Sequence, residues 1–398
     1  MKKILSVCAA ACALIVPFSG CVKEEEKNKT VYEIYTNMPE EFYEVTLDNF
    51  KVAGTVAGQA SLTDSSGAAE NPSVYKSMGK TFYYLMTADA TIVVSEDFTN
   101  EAVAEAKCEA FINSVRDKLV KIDASLSISV ENSATSRFNA AAAGDVIEVD
   151  KIAYDVFTLA KRMYEFTDGY YNPAVYYSVE AYGFNTNGNI PETAADLPKD
   201  EEISKYNQLA SRFGDVSVYE EEGKYYVAKP EVTAEIDGVK YSMKIDLGGI
   251  GKGYAVDVVN AMMDESGFKY GYFDFGSSSI ICKSHFKLGA YALGLRNPRA
   301  DFFGQQFLST NVKNECVSTS ADDVKYYMLD GVRYCHVIDP MTGKPVNKGI
   351  MSATVIGGTA AEGDALTTAL MAMGKDNALK FIETKLADRK VVLSYDNN

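Results

Sequence analysis

The pattern of apolar and polar positions predicts helices and strands that alternate irregularly along the chain. Apolar residues recur at helical spacing over 101–122 and 151–166, and further helices are predicted over 254–266, 363–373 and 376–386. Short runs rich in β-branched and aromatic residues predict a strand pair over 82–94 and single strands over 225–227, 241–245, 268–274, 290–295, 333–338 and 353–356. This order is typical of the α+β (mixed α/β) class.

One large folded domain is predicted over residues 81–398, because no linker-like stretch interrupts it. Residues 21–80 mix charged residues with Gly, Ser and Ala, and they predict a solvated tether followed by an irregular extension with some β-structure. The first twenty residues form a third unit of different character.

Residues 1–20 have the pattern of an export signal. Lys2 and Lys3 precede an apolar run over 4–16, and small residues lead to Cys21. This ending predicts a bacterial lipoprotein in which Cys21 carries the lipid. The lipid would anchor the protein to a membrane, either the inner or the outer one, and the protein would face the periplasm. The alternative is an ordinary cleaved secretory signal. The run is too short to span a bilayer.

The charge balance excludes nucleic acid and anionic lipid headgroups as general partners. The formal net charge is −16, and removal of residues 1–20, which contain two lysines and no acids, makes it −18. An acidic protein that binds a phosphate needs local positive charge, for which a divalent cation is the obvious source. Cysteines that remain in an oxidising compartment could form one or two disulfides; these are Cys108, Cys282, Cys316 and Cys335.

A glycine-rich segment from Lys244 to Tyr254 predicts a strand, a turn and the start of a helix. Asp246 precedes four glycines that surround Lys252, and such a turn suits phosphate binding. It is not a Walker loop, because Gly253 follows the lysine, and it does not match the dinucleotide fingerprint. The alternative is a tight structural turn with a surface lysine.

Two other features could carry chemistry. Asp364 and Thr368 lie four residues apart on one face of a predicted helix, and with a carbonyl they make an all-oxygen set that suits Mg²⁺. The alternative is a helix cap and a packed threonine. His336 precedes an Asp339-Pro340 turn and is a candidate general base, although a lone histidine at a strand end is usually structural.

Taken together, the motifs resemble the ApbE family of FAD:protein FMN transferases. The resemblance covers residues 82–398, with the motifs in the family's order. They are Ser136-Arg137-Phe138-Asn139, Thr167–Pro173, Tyr182-Gly183-Phe184, Asp246–Gly253, Leu295–Pro298, Val317–Ser320, His336–Pro340 with Thr342-Gly343, and Asp364–Ala369.

The resemblance implies a role for each matching residue. It implies His336 as the group that helps to activate the acceptor hydroxyl. It implies metal ligands at the Gly249 carbonyl, Asp364 and Thr368. It implies flavin contacts at Met86, Tyr170, Tyr171, Asn172, Asp246, Lys252 and Ile338.

The function implied is Mg²⁺-dependent transfer of FMN from FAD, the substrate, to a threonine or serine hydroxyl, with release of AMP. The implied partners are acceptor flavoproteins outside the cytoplasm, such as redox-pump subunits. Ser129 falls where some family members place a tyrosine against the flavin. This difference keeps a second function as an alternative, that of a periplasmic FAD pyrophosphatase. A non-catalytic flavin-binding lipoprotein is the third alternative.

Overall fold

The strands of the protein build one large sheet and several small ones. The computed structural model describes residues 30–35, 75–85, 88–185, 189–299 and 306–396. Its strands are β1 (Thr30–Tyr35), β2 (Tyr75–Leu85), β3 (Ala88–Asp97), β4 (Val146–Val149), β5 (Ser217–Glu221), β6 (Lys224–Ala228), β7 (Thr233–Ile236), β8 (Val239–Ser242), β9 (Tyr270–Phe275), β10 (Ser279–Cys282), β11 (Tyr291–Arg296), β12 (Gln306–Val312), β13 (Glu315–Ala321), β14 (Tyr326–Leu329), β15 (Val332–Cys335), β16 (Ile338–Asp339), β17 (Lys344–Pro345), β18 (Ile350–Ile356) and β19 (Lys390–Asp396).

Helices connect and cover these strands. They are α1 (Glu101–Leu126), α2 (Ala134–Ala140), α3 (Lys151–Phe166), α4 (Tyr176–Ala181), α5 (Asp200–Ala210), α6 (Gly248–Glu265), α7 (Ala360–Met373) and α8 (Lys375–Lys385), with short 3₁₀ turns at Ala194–Asp196 and Phe213–Asp215. No helix in the described part of the chain is long and apolar enough to cross a membrane.

The central sheet is antiparallel and has the order β1-β19-β18-β13-β10-β9-β3-β2. Its two faces bury different neighbours because successive side chains alternate. Ile281 and Cys316, opposite each other on β10 and β13, belong to the main core with α6 and α7. Ile280 and Val317, the next pair, pack with Leu293 of the β11–β12 hairpin. The molecule therefore has three layers at this point: helices, sheet and hairpin.

The sequence signals for two helices are confirmed. Asn100 caps α1 by accepting a hydrogen bond from the backbone N–H of Val103 (3.3 Å), and Asp150 caps α3 through the N–H of Ala153 (2.9 Å). The predicted strand pair over 82–94 is also confirmed as β2 and β3, and the α+β class is correct.

The glycine-rich segment is helical, which corrects the predicted turn. Helix α6 begins at Gly248 rather than at 254, and the strand predicted over 241–245 is β8, which ends at Ser242. A Cβ atom on Gly253 would lie 2.3 Å from the carbonyl oxygen of Ala360, so the backbones of α6 and α7 touch here. Glycine is unfavourable inside a helix, but only glycine permits this contact.

The ends of α7 and of the folded body also differ from expectation. Helix α7 begins at Ala360 rather than at 363. The run predicted as one strand over 333–338 is divided between β15 and β16. Strand β2 begins at Tyr75, ahead of the predicted start of the folded domain at 81, and pairs with β3. Strand β1 comes from the predicted extension and pairs with β19 at the sheet edge.

The disulfides that the sequence left possible are not formed among the described residues, where all four cysteines are free and buried: Cys108, Cys282, Cys316 and Cys335. The physical reason is clear for the two on neighbouring strands. Cys282 packs against the β11–β12 hairpin, whereas Cys316 faces the helices on the other side of the sheet. The predicted export signal and Cys21 lie outside the described residues.

The helix crossing yields a test with a matched control in the same helix. Gly253→Ala places a methyl group against the Ala360 carbonyl and should lower the free energy of unfolding by about 1–3 kcal/mol. Gly249→Ala meets only atoms at 3.6 Å or beyond and should change stability by less than about 1 kcal/mol. Urea denaturation measures both values. Equal losses in the two variants would show that the crossing is not tight.

Candidate functional site

The centre of the site is the carboxylate of Asp364, on the second turn of α7. The residue is only 2% exposed. One carboxylate oxygen accepts a hydrogen bond from the backbone N–H of Gly253 (3.1 Å), and the other accepts one from the hydroxyl of Ser278 (3.2 Å). The close helix crossing therefore binds α6 directly to the acid that the sequence motif singled out.

Lys252 supplies positive charge at this point. Its ammonium group donates a hydrogen bond to the carbonyl of Gly248 (2.6 Å) and lies 4.0 Å from a carboxylate oxygen of Asp364. The side chain is largely buried. The lysine of the glycine-rich segment is therefore mostly buried beside Asp364, in contrast to the surface lysine of the alternative interpretation.

Gly249 and Thr368 meet across the same crossing. A Cβ atom on Gly249 would lie 3.7 Å from the Thr368 hydroxyl and 3.6 Å from the ring of Tyr171. The Thr368 hydroxyl bonds to the Asp364 carbonyl (3.2 Å) and lies 3.4 Å from the hydroxyl of Ser320 on β13. The structure therefore brings together all three residues that the resemblance implied as metal ligands.

Asp246 is positioned by contacts from distant parts of the chain. The side-chain amide of Asn139 makes two 2.8 Å hydrogen bonds with the backbone of Ile245, one to its N–H and one to its carbonyl. The N–H of Asp246 donates to the carbonyl of Pro173 (2.9 Å), and its carboxylate accepts from the N–H of Gly248 (2.8 Å). The Asn139 motif and the Pro173 turn therefore hold the start of α6 in place.

The turn after α3 buries Tyr171 and leaves Tyr170 partly exposed. Thr167 accepts a hydrogen bond from the N–H of Tyr171 (2.9 Å), and the Tyr171 ring is 2% exposed. Burial, with Asp364 and Asp246 nearby, raises the pKa of Tyr171 well above its usual value, so its hydroxyl stays protonated. Tyr170 is partly exposed.

Two predicted flavin contacts have side chains that serve the fold. Asn172 donates to the carbonyl of Ala210 (2.9 Å) and accepts from the N–H of Ala174 (2.9 Å). Ile338 is 3% exposed and packs in a second core cluster rich in tyrosine. Met86 lies outside the described residues.

His336 lies near Lys252 with one ring nitrogen, Nδ1, buried and without a hydrogen-bond partner among the described residues. Burial, together with the charges of Lys325 and Lys252, lowers the pKa of His336 to about 4. The imidazole is therefore neutral near pH 7. A neutral ring with an unused nitrogen is able to accept a proton.

The donor set fits a hard cation. In the described part of the chain, no group of three or more His, Cys, Asp and Glu side chains could hold a metal. The residues that meet at the crossing instead offer one carboxylate, one hydroxyl and one backbone carbonyl, from Asp364, Thr368 and Gly249. Mg²⁺ accepts few protein ligands of this kind and takes the rest from water and phosphate.

The first backbone N–H groups of α7 are capped by side chains of the same chain. Asp257 on α6 accepts hydrogen bonds from the N–H groups of Ala360 (2.7 Å) and Ala361 (2.9 Å), and Thr359 accepts one from Glu362 (3.2 Å). These amides are already used. Sequence reasoning missed Asp257 and Ser278, because each acts across more than eighty residues of chain.

A sequence model of the ApbE family matches residues 86–393. The chain belongs to the ApbE family. Its relatives include proteins named FAD:protein FMN transferase from Escherichia coli K12, which is 26% identical over 67% of this chain and 72% of its own length, and from Klebsiella pneumoniae 342, which is 27% identical over 70% and 76%.

Solved ApbE structures share the fold. The ApbE protein of Thermotoga maritima superposes with a TM-score of 0.64 at 27% identity, over 80% of this chain and 94% of that one. The apo flavinyl transferase ApbE of Pseudomonas stutzeri gives a TM-score of 0.65 at 20% identity, over 81% and 95%. The predicted family and fold are both confirmed.

The ionisation of His336 in this ApbE member gives a test in solution. Because the chain has only two histidines, two ring signals are expected by NMR, and His285→Gln assigns them. The pKa of His336 should be about 4. A ring that titrates near 6.5 would contradict the buried environment.

The same shift predicts how stability depends on pH. The folded pKa of His336 lies below its usual value of 6.5, so the unfolded chain binds more protons between about pH 4 and 6.5. The contribution of the neutral ring is fully present above pH 6.5 and is lost as the pH falls toward 4. His336→Asn should flatten the stability profile in this window relative to wild type, as measured by urea denaturation.

Proposed function

We propose that the protein transfers FMN from FAD to a threonine or serine hydroxyl of acceptor flavoproteins outside the cytoplasm. The observation that carries this proposal is the convergence of Asp364, Thr368, Gly249 and Lys252 at the α6–α7 crossing, with the unpartnered His336 nitrogen nearby. The relatives named FAD:protein FMN transferase support it.

The electrostatics of the site suit a pyrophosphate. The chain carries −16 overall, yet Lys252 places an ammonium group beside the crossing. Asp364, Thr368 and the Gly249 carbonyl would hold Mg²⁺, which when bound supplies neutralising charge and polarises phosphoryl oxygens. Lys252 orients the phosphates as a point charge, and the buried setting excludes water from part of the site.

The proposed reaction is a single displacement at phosphorus. The acceptor hydroxyl oxygen forms a bond to the phosphorus of the FMN half of FAD. The bond from that phosphorus to the bridging oxygen breaks, and AMP leaves with the electron pair. His336, neutral near pH 7, accepts the proton of the attacking hydroxyl.

A second candidate reaction replaces the acceptor hydroxyl with water and yields FMN and AMP. Ser129, at the position where some family members place a tyrosine, is exposed and adds no ring against a flavin. Purified protein with FAD and Mg²⁺ separates the alternatives. AMP release that requires an acceptor protein indicates transfer, release without acceptor indicates hydrolysis, and intact bound FAD indicates storage.

Asp364→Asn tests the assignment of the site. It keeps the size of the side chain but removes its charge, so AMP release should fall at least about 100-fold. Asp376→Asn, an exposed acid on α8, is the matched control and should retain full activity. Circular dichroism checks that both variants fold. Wild-type turnover in Asp364→Asn would remove Asp364 from the catalytic site.

We also propose that the protein is anchored to a membrane, facing the periplasm, through a lipid on Cys21. The basic start, short apolar run and small residues before Cys21 support this proposal. Cys21→Ser should move the protein from the membrane fraction to the soluble fraction and abolish incorporation of labelled palmitate. Unchanged fractionation and labelling would exclude the anchor.

A further inference from the structure

The hydroxyl of Tyr171 is buried beside Gly249 and has no hydrogen-bond partner among the described residues. The residue is 2% exposed, and its Oη atom makes no hydrogen bond to any described residue. A buried polar atom without a partner costs about 1–3 kcal/mol, so such an atom needs an explanation. Phenylalanine would fill the same space without this cost.

The position of the ring is set by the residues that form the site. Its Cε2 atom lies 3.6 Å from the Cβ position of Gly249, and the Thr368 hydroxyl lies 3.7 Å from the same point. The backbone N–H of Tyr171 is held by Thr167 (2.9 Å). Two residues later, Pro173 accepts a hydrogen bond from Asp246 (2.9 Å). The ring is therefore fixed from both ends of its turn, beside the first turn of α6.

The neighbouring charges select the kind of ligand. The protonated hydroxyl of Tyr171 lies near the carboxylates of Asp364 and Asp246, but neither carboxylate is within hydrogen-bond distance of it. Those carboxylates already accept hydrogen bonds from Gly253, Ser278 and Gly248. The Tyr171 hydroxyl is therefore an unused hydrogen-bond donor, and a ligand with acceptor oxygens would satisfy it.

Given the proposed function, we propose that the Tyr171 hydroxyl donates a hydrogen bond to a phosphate oxygen of the FAD pyrophosphate. The ligand-free protein keeps this donor buried and unpaired, and the bound substrate satisfies it. Tyr171 is then a phosphate-binding residue whose hydroxyl favours FAD over flavins that lack phosphate.

The test removes one oxygen atom. Tyr171→Phe should weaken FAD binding in Mg²⁺ buffer about tenfold, the usual effect of one hydrogen bond to a charged group. Binding of riboflavin, which carries the flavin ring but no phosphate, should not change. Flavin fluorescence or calorimetry measures both. The melting temperature of ligand-free Tyr171→Phe should equal or exceed that of wild type, because the variant loses only an unpaired group.

Tyr395→Phe is the matched control. Tyr395 on β19 is 1% exposed and its hydroxyl is also without a partner among the described residues, but it packs in the main core under the ammonium group of Lys375 (3.8 Å from the ring). The same one-atom change there should leave the affinities for FAD and riboflavin unchanged.

The outcomes separate this inference from the proposed function. Unchanged FAD affinity in Tyr171→Phe overturns the inference, as does an equal loss of riboflavin affinity, which would place the hydroxyl against the flavin ring. A lower melting temperature without ligand would also overturn it, because the hydroxyl would then be structural. If wild type binds FAD more tightly than Tyr171→Phe but never releases AMP, the inference stands and the proposed function fails.

Discussion

The site depends on one contact, the backbone approach of α6 to α7 at Gly253 and Ala360. Any side chain at Gly253 would meet the Ala360 carbonyl. Because the helices touch here, the N–H of Gly253 reaches the carboxylate of Asp364, and Lys252, one residue earlier, faces the same acid. The capping of α7 by Asp257 holds the crossing from the other side. Packing and chemistry are therefore set by the same few residues.

The site carries polar groups that folding alone does not satisfy. The Tyr171 hydroxyl and one His336 nitrogen are buried and have no partner among the described residues. Such groups lower stability, and proteins retain them where a ligand uses them. The Tyr171 hydroxyl differs from the unpartnered Tyr395 hydroxyl of the main core because it lies near Asp364 and Asp246. The surrounding scaffold, a sheet covered on both faces, is rigid enough to hold them without their ligands.

Several sequence motifs of the family are connectors whose side chains act on the backbone. Asn139 holds Ile245 through two hydrogen bonds, and Thr167 holds Tyr171. Asp339 accepts hydrogen bonds from Met341 and Thr342 and so closes its own turn. These residues explain why motifs far apart in the chain occur together. Each fixes the backbone next to a residue that faces the site, and the second core cluster around Ile338 supports the turn that follows His336.

The sequence by itself determined the helices, turns and helix faces that depend on residues close together in the chain. The apolar period located α1 and α3, the Asp-Pro turn was recognisable, and the spacing of Asp364 and Thr368 placed them on one helix face. Only the tertiary structure decided the rest. The glycines of α6 are poor helix formers, and contact with α7 makes them helical. Cys282 and Cys316 stay unpaired because the sheet separates them. The partners of Asp364, and the isolation of the Tyr171 hydroxyl, arise from residues distant in sequence, whose proximity no local pattern encodes.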